Sequence, residues 1–311
     1  MKILVTYNIP RQAFQDIPAD WQLIFPEGEE MTREELFREL ADSDVLLPIF
    51  HSSTPIDQEI IDAGKKLKLI SNYGVGYNNI DVRYARSKDV AVTNTPKAVN
   101  NPTAELAMAL MLDAARRVSE CNTRIRTEKE SMWGTMRNLG FTLEGQTLGI
   151  VGMGSIGKNV ARKAEAFGMK IIYHNRNTEV PGYTRVDLDT LLKDADFISL
   201  HTPLTEETRH LIDARAISLM KPTAILINTA RGAVIDEAAL TEALKNHKIA
   251  GAALDVFECE PQITEGLYSL PNVVLTPHIG TGTINTRIAM GVEAVNNIRN
   301  FFAGTPTNVI N

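Results

Sequence analysis

The sequence predicts an α/β protein built from two doubly wound parallel-sheet domains with a cleft between them. Three observations carry this reading. Short apolar runs alternate with polar helical stretches along nearly the whole chain, one long helix interrupts the alternation, and a glycine-rich turn opens the second series. With 311 residues the chain can bury two cores of ordinary size. Hydrophobic residues at 44% and charged residues at 23% exclude a disordered chain.

In the first hundred residues "KILVTY" (2–7), "WQLIFP" (21–26) and "SDVLLPIF" (43–50) read as strands, with "TREELFRELAD" and "DQEIIDAG" as helices between them. "LKLISNYG" and "VAVTNTP" continue the series. After Pro96 the rhythm changes. Asn101-Pro102-Thr103 opens a long helix to roughly Arg117, with Pro102 and Glu105 as N-terminal signals. The second series supplies six strands: "GQTLGIVGMGSIG", "MKIIYHN", "ADFISLHTP", "AILINTARG", "IAGAALDVFE" and "NVVLTPHIG". Six is the strand count of a complete doubly wound dinucleotide fold. A last helix covers about 283–303 in a tail too short to fold alone, so it is expected to return to the first domain. The expected layout is residues 1–98 plus 280–311 as one discontinuous domain and 99–279 as an inserted second one. Small ligands favour the cleft that such a layout makes.

The formal charge of −6, with no block of Lys or Arg, argues against a nucleic-acid partner. Cys121 and Cys259 fit neither a disulfide framework nor a metal-binding spacing, and no histidine pair has metal-ligand spacing. A reducing, cytoplasmic setting is expected. "MKILVTYNIP" carries too short an apolar run for a signal peptide. The apolar stretch "AELAMALMLDAARRV" contains Glu105 and Asp113 and reads as a buried helix, not a membrane span.

"GIVGMGSIGKNVARKAEAFG" places Gly152, Gly154 and Gly157 as G-x-G-x-x-G between a strand and a helix. The glycines permit a tight turn, close approach of backbone N–H groups to a pyrophosphate, and close helix–strand packing. The helix N-terminus adds partial positive charge for phosphates. The following strand ends in "YHNRN" (173–177), where an Asp or Glu usually receives the ribose hydroxyls. Asn175 removes the repulsion that an acid would exert on a 2′-phosphate, and Arg176 supplies a planar cation suited to it. The expected cofactor is therefore NADP(H) in preference to NAD(H). The plainer alternative is a surface arginine and NAD bound through Asn175.

"INTARGAVID" (227–236), "ALDVFECEP" (253–261) and "LTPHIG" (275–280) each lie at the C-terminal edge of an expected strand, where doubly wound sheets place ligands. They bring Arg231, Glu260 and His278 toward one cleft. Taken singly, these residues also read as a surface cation, a turn acid and a loop histidine.

With "GMGSIG" and "SNYGVGYNNID", these segments make the chain resemble the D-isomer-specific 2-hydroxyacid dehydrogenase family over almost its full length, with the family's Arg231–Glu260–His278 spacing. Within the family it most resembles glyoxylate/hydroxypyruvate reductases, which often use NADPH. The resemblance implies a flavodoxin-like substrate domain, a Rossmann cofactor domain, a homodimer, and reduction of a small 2-oxoacid to the D-2-hydroxyacid.

It also implies roles. His278 would donate the proton, Glu260 would fix its tautomer and favour imidazolium, and Arg231 would grip the carboxylate and polarise the carbonyl. Val75 and Gly76 would bind the carboxylate through backbone N–H groups, together with Arg231 and His278. Cofactor contacts would come from Thr103, Gly152, Met153, Gly154, Ser155, Ile156, Gly157, Asn175, Arg176 and Asn177. Further contacts would come from His201, Thr202, Pro203, Thr208, Thr229, Ala230, Asp255 and Gly280, with Asp255 on the nicotinamide carboxamide. Phe50 or His51 would line the pocket. Trp133 reads as a core or interface residue, and His51, His174, His210 and His247 as structural or surface. Three alternatives stay open: a reductase of larger 2-oxoacids (2-ketogluconate, branched or aromatic), an NAD-linked dehydrogenase, and a dinucleotide-sensing binding protein.

Overall fold

The computed structural model describes residues 1–49, 54–127 and 133–311. The chain divides into two compact units, Met1–Val99 with Thr281–Asn311, and Asn100–Gly280.

The first unit runs β1 (Lys2–Val5), β2 (Gln22–Ile24), α1 (Arg33–Leu40), β3 (Val45–Leu47), α2 (Gln58–Ala63), β4 (Leu69–Ser71), α3 (Val82–Ser87) and β5 (Ala91–Thr93). Its parallel sheet has the order β2-β1-β3-β4-β5, the flavodoxin-like winding. Alternation along the strands sorts side chains onto two faces. Ile3, Val5, Val45, Leu47 and Leu69 pack with Met290, Ala294, Val295 and Ile298 of the C-terminal helix (Ile284–Phe302). Leu4, Leu46, Ile70 and Val92 meet Leu36, Leu40, Ile60 and Ile61 on the other face. Each such fully buried aliphatic side chain is worth about 1.5–3 kcal/mol of transfer free energy.

The second unit begins with α4 (Asn100–Arg116) and α5 (Val118–Thr127). It continues through β6 (Thr147–Val151), α6 (Ser155–Ala166), β7 (Lys170–His174), β8 (Thr184–Arg185), α7 (Leu188–Asp194), β9 (Phe197–Leu200), α8 (Ala214–Leu219), β10 (Ile225–Asn228), α9 (Glu237–Lys245), β11 (Gly251–Leu254) and β12 (Val273–Leu275). The terminal helix of the first unit is α10. The sheet order is β12-β11-β10-β9-β6-β7-β8, all parallel. One face packs on α4 and α6 through Ala104, Ala107, Met111, Val160 and Ala161; the other packs on α7, α8 and α9 through Leu191, Leu192, Ile217, Leu240 and Leu244.

Two elements correct the sequence reading. The second sheet has a seventh strand, β8, whose two exposed residues pair with Ile172 and Tyr173 of β7. It fills the third place of the doubly wound order, so the expected sixth strand is in fact the seventh. The long helix ends at Arg116, where the sequence reading expected it, but a further helix, α5, follows that was not foreseen. Arg117 takes φ +55, and its guanidinium grips both oxygens of Glu120 at 2.7 and 2.6 Å, starting α5 on a new axis. No residue of α5 is buried, so it carries no core-facing periodicity.

Candidate functional site

The glycine turn sits between β6 and α6. Gly152 has φ +97, and a Cβ there would lie 2.7 Å from the His201 carbonyl carbon. Only glycine tolerates both conditions. A Cβ on Gly157 would strike the Gly152 carbonyl oxygen at 2.4 Å, whereas one on Gly154 would meet nothing within 4 Å. The turn is thus tight underneath and open above.

Helices α1, α2, α3, α7, α8, α9 and α10 all begin with a side chain that accepts a backbone N–H of the first turn. By contrast, α6 begins on Gly154 with no side-chain cap. The N–H groups of Ser155, Ile156 and Gly157 therefore have neither an intrahelical acceptor nor a side-chain cap. Around them, His201 Nδ1, Thr202 Oγ1 and Thr229 Oγ1 are enclosed and, among the described residues, have no hydrogen-bond partner. Buried polar atoms of this kind require a partner, and a dinucleotide in the cradle would bring several. The donor set fits that group: amides and a helix N-terminus for pyrophosphate, hydroxyls for its sugar and ring substituents.

His201 keeps some residual surface, but its ring is enclosed, with Nε2 2.8 Å from Ser199 Oγ. Burial presses its pKa down to about 4, so the ring is neutral at physiological pH. Pro203 is exposed, and its carbonyl receives the Thr208 hydroxyl at 2.7 Å, which folds the 203–208 loop on itself.

At the end of β7, Asn175 Oδ1 accepts the Met153 N–H at 2.7 Å, and its Nδ2 donates to the Thr178 carbonyl at 3.1 Å. Arg176 and Asn177 are exposed, and Arg176 forms an ion pair with Glu207. Arg185, on the unforeseen β8, donates to the carbonyls of Asn175 and Arg176 at 2.9 and 2.8 Å. Nothing in the local sequence distinguishes Arg185 or Glu207 from ordinary surface charges. Their roles depend on a strand pairing and a loop position.

Beyond β11 and β12, Glu260 and His278 meet, and the charge of Glu260 reaches Arg231 beyond β10. His278 Nδ1 lies 2.8 Å from Glu260 Oε2, and Glu260 Oε1 accepts the Phe257 N–H at 2.9 Å. His278 adopts φ +50, a left-handed conformation that a non-glycine residue holds only when its surroundings fix it. Those surroundings centre on Asp255, 1% exposed, whose carboxylate accepts Thr276 Oγ1 and the N–H groups of Ile279 and Gly280 at 2.6–2.8 Å. The Asp255 carbonyl also takes the His278 N–H at 2.8 Å. Burial raises the Asp255 pKa, and these hydrogen bonds and the neighbouring His278 oppose the rise. A Cβ on Gly280 would touch both Asp255 Oδ2 and Thr103, so Thr103, Asp255 and Gly280 share one spot.

Arg231 is half-buried and donates to the Ala230 carbonyl at 2.6 Å. Burial lowers its pKa and the charge of Glu260 raises it; a guanidinium stays protonated throughout the working range. Asn228, completely buried at the end of β10, shapes the loop by accepting the Ala230 N–H at 3.0 Å and donating to the Arg231 carbonyl at 2.9 Å. Sequence reasoning passed over Asn228, although an Asn closing an apolar strand run is a usable signal.

Val75 and Gly76 belong to the first unit. Asn72 donates to the Gly76 carbonyl at 2.7 Å and Asn94 to the Val75 carbonyl at 2.9 Å, while among the described residues neither N–H of the pair has an acceptor. Phe50 and His51 lie outside the described residues. Trp133 is 82% exposed, which removes the core reading. His210 faces Glu258 at 2.6 Å, a second imidazole–carboxylate contact that sequence reasoning did not foresee.

Residues 108–280 match the D-isomer specific 2-hydroxyacid dehydrogenase NAD binding domain. The chain is 43% identical over 321 residues to a glyoxylate reductase of Thermococcus litoralis, covering 100% of this chain and 96% of that protein. A solved glyoxylate reductase from Paecilomyes thermophila superposes with TM-score 0.90 at 38% identity, covering 100% and 98% of the two chains. An NADPH-dependent glyoxylate/hydroxypyruvate reductase from Sinorhizobium meliloti does so with TM-score 0.88 at 31% identity, covering 99% and 97%. Matched along its whole length in sequence and fold, the chain belongs to the D-isomer specific 2-hydroxyacid dehydrogenase family, near its glyoxylate reductases, and is an NAD(P)-dependent oxidoreductase.

Proposed function

We propose that this enzyme reduces a small 2-oxoacid, glyoxylate or hydroxypyruvate, with NADPH, giving the D-2-hydroxyacid where the product is chiral. The observation that carries the proposal is the 2.8 Å contact between His278 Nδ1 and Glu260 Oε2, beside a half-buried Arg231. Glu260 fixes the ring orientation and tautomer, so that Nε2 is the atom that hands a proton to the carbonyl oxygen. Arg231 binds the substrate carboxylate through its planar fork and stabilises the negative charge that develops on that oxygen. Val75 and Gly76 of the first unit are the proposed backbone donors to an oxoacid carboxylate. Asp255 holds the Thr276–Gly280 turn and so positions His278, leaving part of Oδ2 for a carboxamide. When bound, the nicotinamide cofactor supplies the hydride.

NADPH is favoured over NADH by the neutral Asn175 and the exposed Arg176 at the end of β7. The glyoxylate reductase names of the similar proteins support the small substrate. We also propose a homodimer, supported by the exposed Val118, Ile125, Trp133, Met136 and Leu139 of the second unit. Sedimentation of a monomer at micromolar concentration would remove that part.

The decisive experiment is a rate panel of NADPH and NADH against glyoxylate, hydroxypyruvate, 2-ketogluconate and branched and aromatic 2-oxoacids. Fastest turnover with NADPH and a two- or three-carbon oxoacid is expected. A preference for the larger acids moves the substrate assignment, and no turnover at all favours a dinucleotide-sensing binder.

A further inference from the structure

Glu237, the first residue of α9, is a carboxylate only 5% exposed that the proposed mechanism does not use. Its Oε2 accepts the Glu258 N–H at 2.8 Å and its Oε1 accepts the Thr264 N–H at 2.9 Å. Those two amides bracket the loop that carries Glu260. Inside the loop, the Gln262 N–H closes onto the Cys259 carbonyl at 2.9 Å. Its Glu258 side chain meets His210 Nε2 at 2.6 Å, and the His210 N–H donates to the Ala233 carbonyl, two residues beyond Arg231. At Gly232 a Cβ would fall 1.8 Å from the Phe257 carbonyl carbon, so the Glu260 loop lies directly on the Arg231 segment.

We propose that Glu237 is a positioning residue for catalysis: by holding both ends of the 258–264 loop it sets Glu260 at hydrogen-bonding distance from His278. The proposal rests on the reading of His278 and Glu260 as the proton-delivering pair. A buried charge is tolerated only where its oxygens are satisfied, and here one backbone amide goes to each oxygen. The same geometry explains why an acid is needed. Glutamine has the same shape but offers one acceptor, so one of the two amides would face an NH2 donor. One end of the loop would then come loose while the packing volume is kept. Displacing a reacting group by about 1 Å can cost on the order of 100-fold in rate.

The test is a double-mutant cycle with Glu237→Gln and Glu260→Gln, run with NADPH and the 2-oxoacid turned over fastest. Measurements are kcat, KM, the pH profile of kcat/KM and NADPH affinity. Glu237→Gln alone should lower kcat by about 10- to 100-fold and change the pH profile. NADPH affinity should stay within about threefold. In the Glu260→Gln background, Glu237→Gln should cost nothing more, because the group it positions is gone.

Equal losses in both backgrounds, or a loss that follows NADPH affinity, would mean general structural support and overturn the proposal. Thr264→Pro is the second variant. Thr264 has φ −55, which proline accepts, and the exchange replaces the N–H that Oε1 receives with a ring CH2 that pushes the carboxylate away, so that end of the loop is released. It should reproduce the kcat loss, and a normal rate would overturn the proposal even if Glu237→Gln fails to fold. If Glu260→Gln is itself as fast as the parent, the proton-delivery reading falls and this proposal with it. If Glu260→Gln is slow and Glu237→Gln is normal, only the role of Glu237 falls.

Discussion

Asn175 Oδ1 holds the Met153 N–H at 2.7 Å, so the residue closing β7 also fixes the glycine turn that follows β6. An aspartate in its place would keep that acceptor and add a negative charge where a 2′-phosphate would sit. It would also lose the donor that now reaches Thr178. On the proposed reading, the position can therefore change the cofactor without dismantling the turn.

The first prediction concerns cofactor choice. Asn175→Asp combined with Arg176→Ala should lower the NADPH-to-NADH ratio of kcat/KM by about 10- to 100-fold, the worth of one or two charge-assisted hydrogen bonds. Steady-state kinetics with both cofactors measures it. An unchanged ratio would place 2′-phosphate recognition elsewhere.

A second prediction follows from the ion pair of Arg176 with Glu207, both 67% exposed. On the proposed reading, a 2′-phosphate on Arg176 has to displace the Glu207 carboxylate, whereas NADH leaves the pair alone. Exposed pairs are weak, so Glu207→Gln should tighten NADPH binding by only a few-fold and leave NADH binding where it was. Fluorescence titration of the two cofactors separates the cases, and equal changes for both would argue against competition at Arg176.

The third prediction concerns the reaction itself. His278→Ala should lower turnover by roughly 10²–10⁴-fold, the usual value of general acid help, while NADPH still binds. Near-normal turnover would mean that another group supplies the proton.

The fold was legible in the sequence where periodicity expresses burial. The strands around Ile3, Val45, Leu148 and Leu226 alternate or run apolar because both sheet faces are covered. Thr184–Arg185 and α5 were not, because neither buries a side chain and burial is what leaves a pattern. The same distinction applies at the site. Gly152, Arg231 and His278 announce themselves through motif spacing. Glu237, His210 and Arg185 act by binding backbone groups or side chains distant in sequence, and such partners appear only once the loops are placed. Trp133, read as a core or interface residue, shows the limit of arguing from size: it lies on the surface, which removes the core half of that reading.

The last prediction is a dependence of stability on pH. Enclosure of the His201 ring presses its pKa to about 4 in the folded protein, against about 6.5 when unfolded. Above pH 6.5 the ring is neutral in both states and contributes nothing to the pH dependence. As pH falls below 6.5 the unfolded chain takes up a proton that the folded chain refuses, so stability is lost until about pH 4, where both states are protonated. The total amounts to about 3 kcal/mol, of which about 2 kcal/mol falls between pH 6.5 and 5. Carboxylates held below their usual range, such as Asp189 beside Arg215, contribute their loss mainly at lower pH. Denaturant unfolding of the parent and of His201→Gln at pH 7 and pH 5 isolates the histidine. The parent should lose about 2 kcal/mol more than the variant over that interval; equal losses would show that the folded protein protonates His201 as readily as the unfolded chain does.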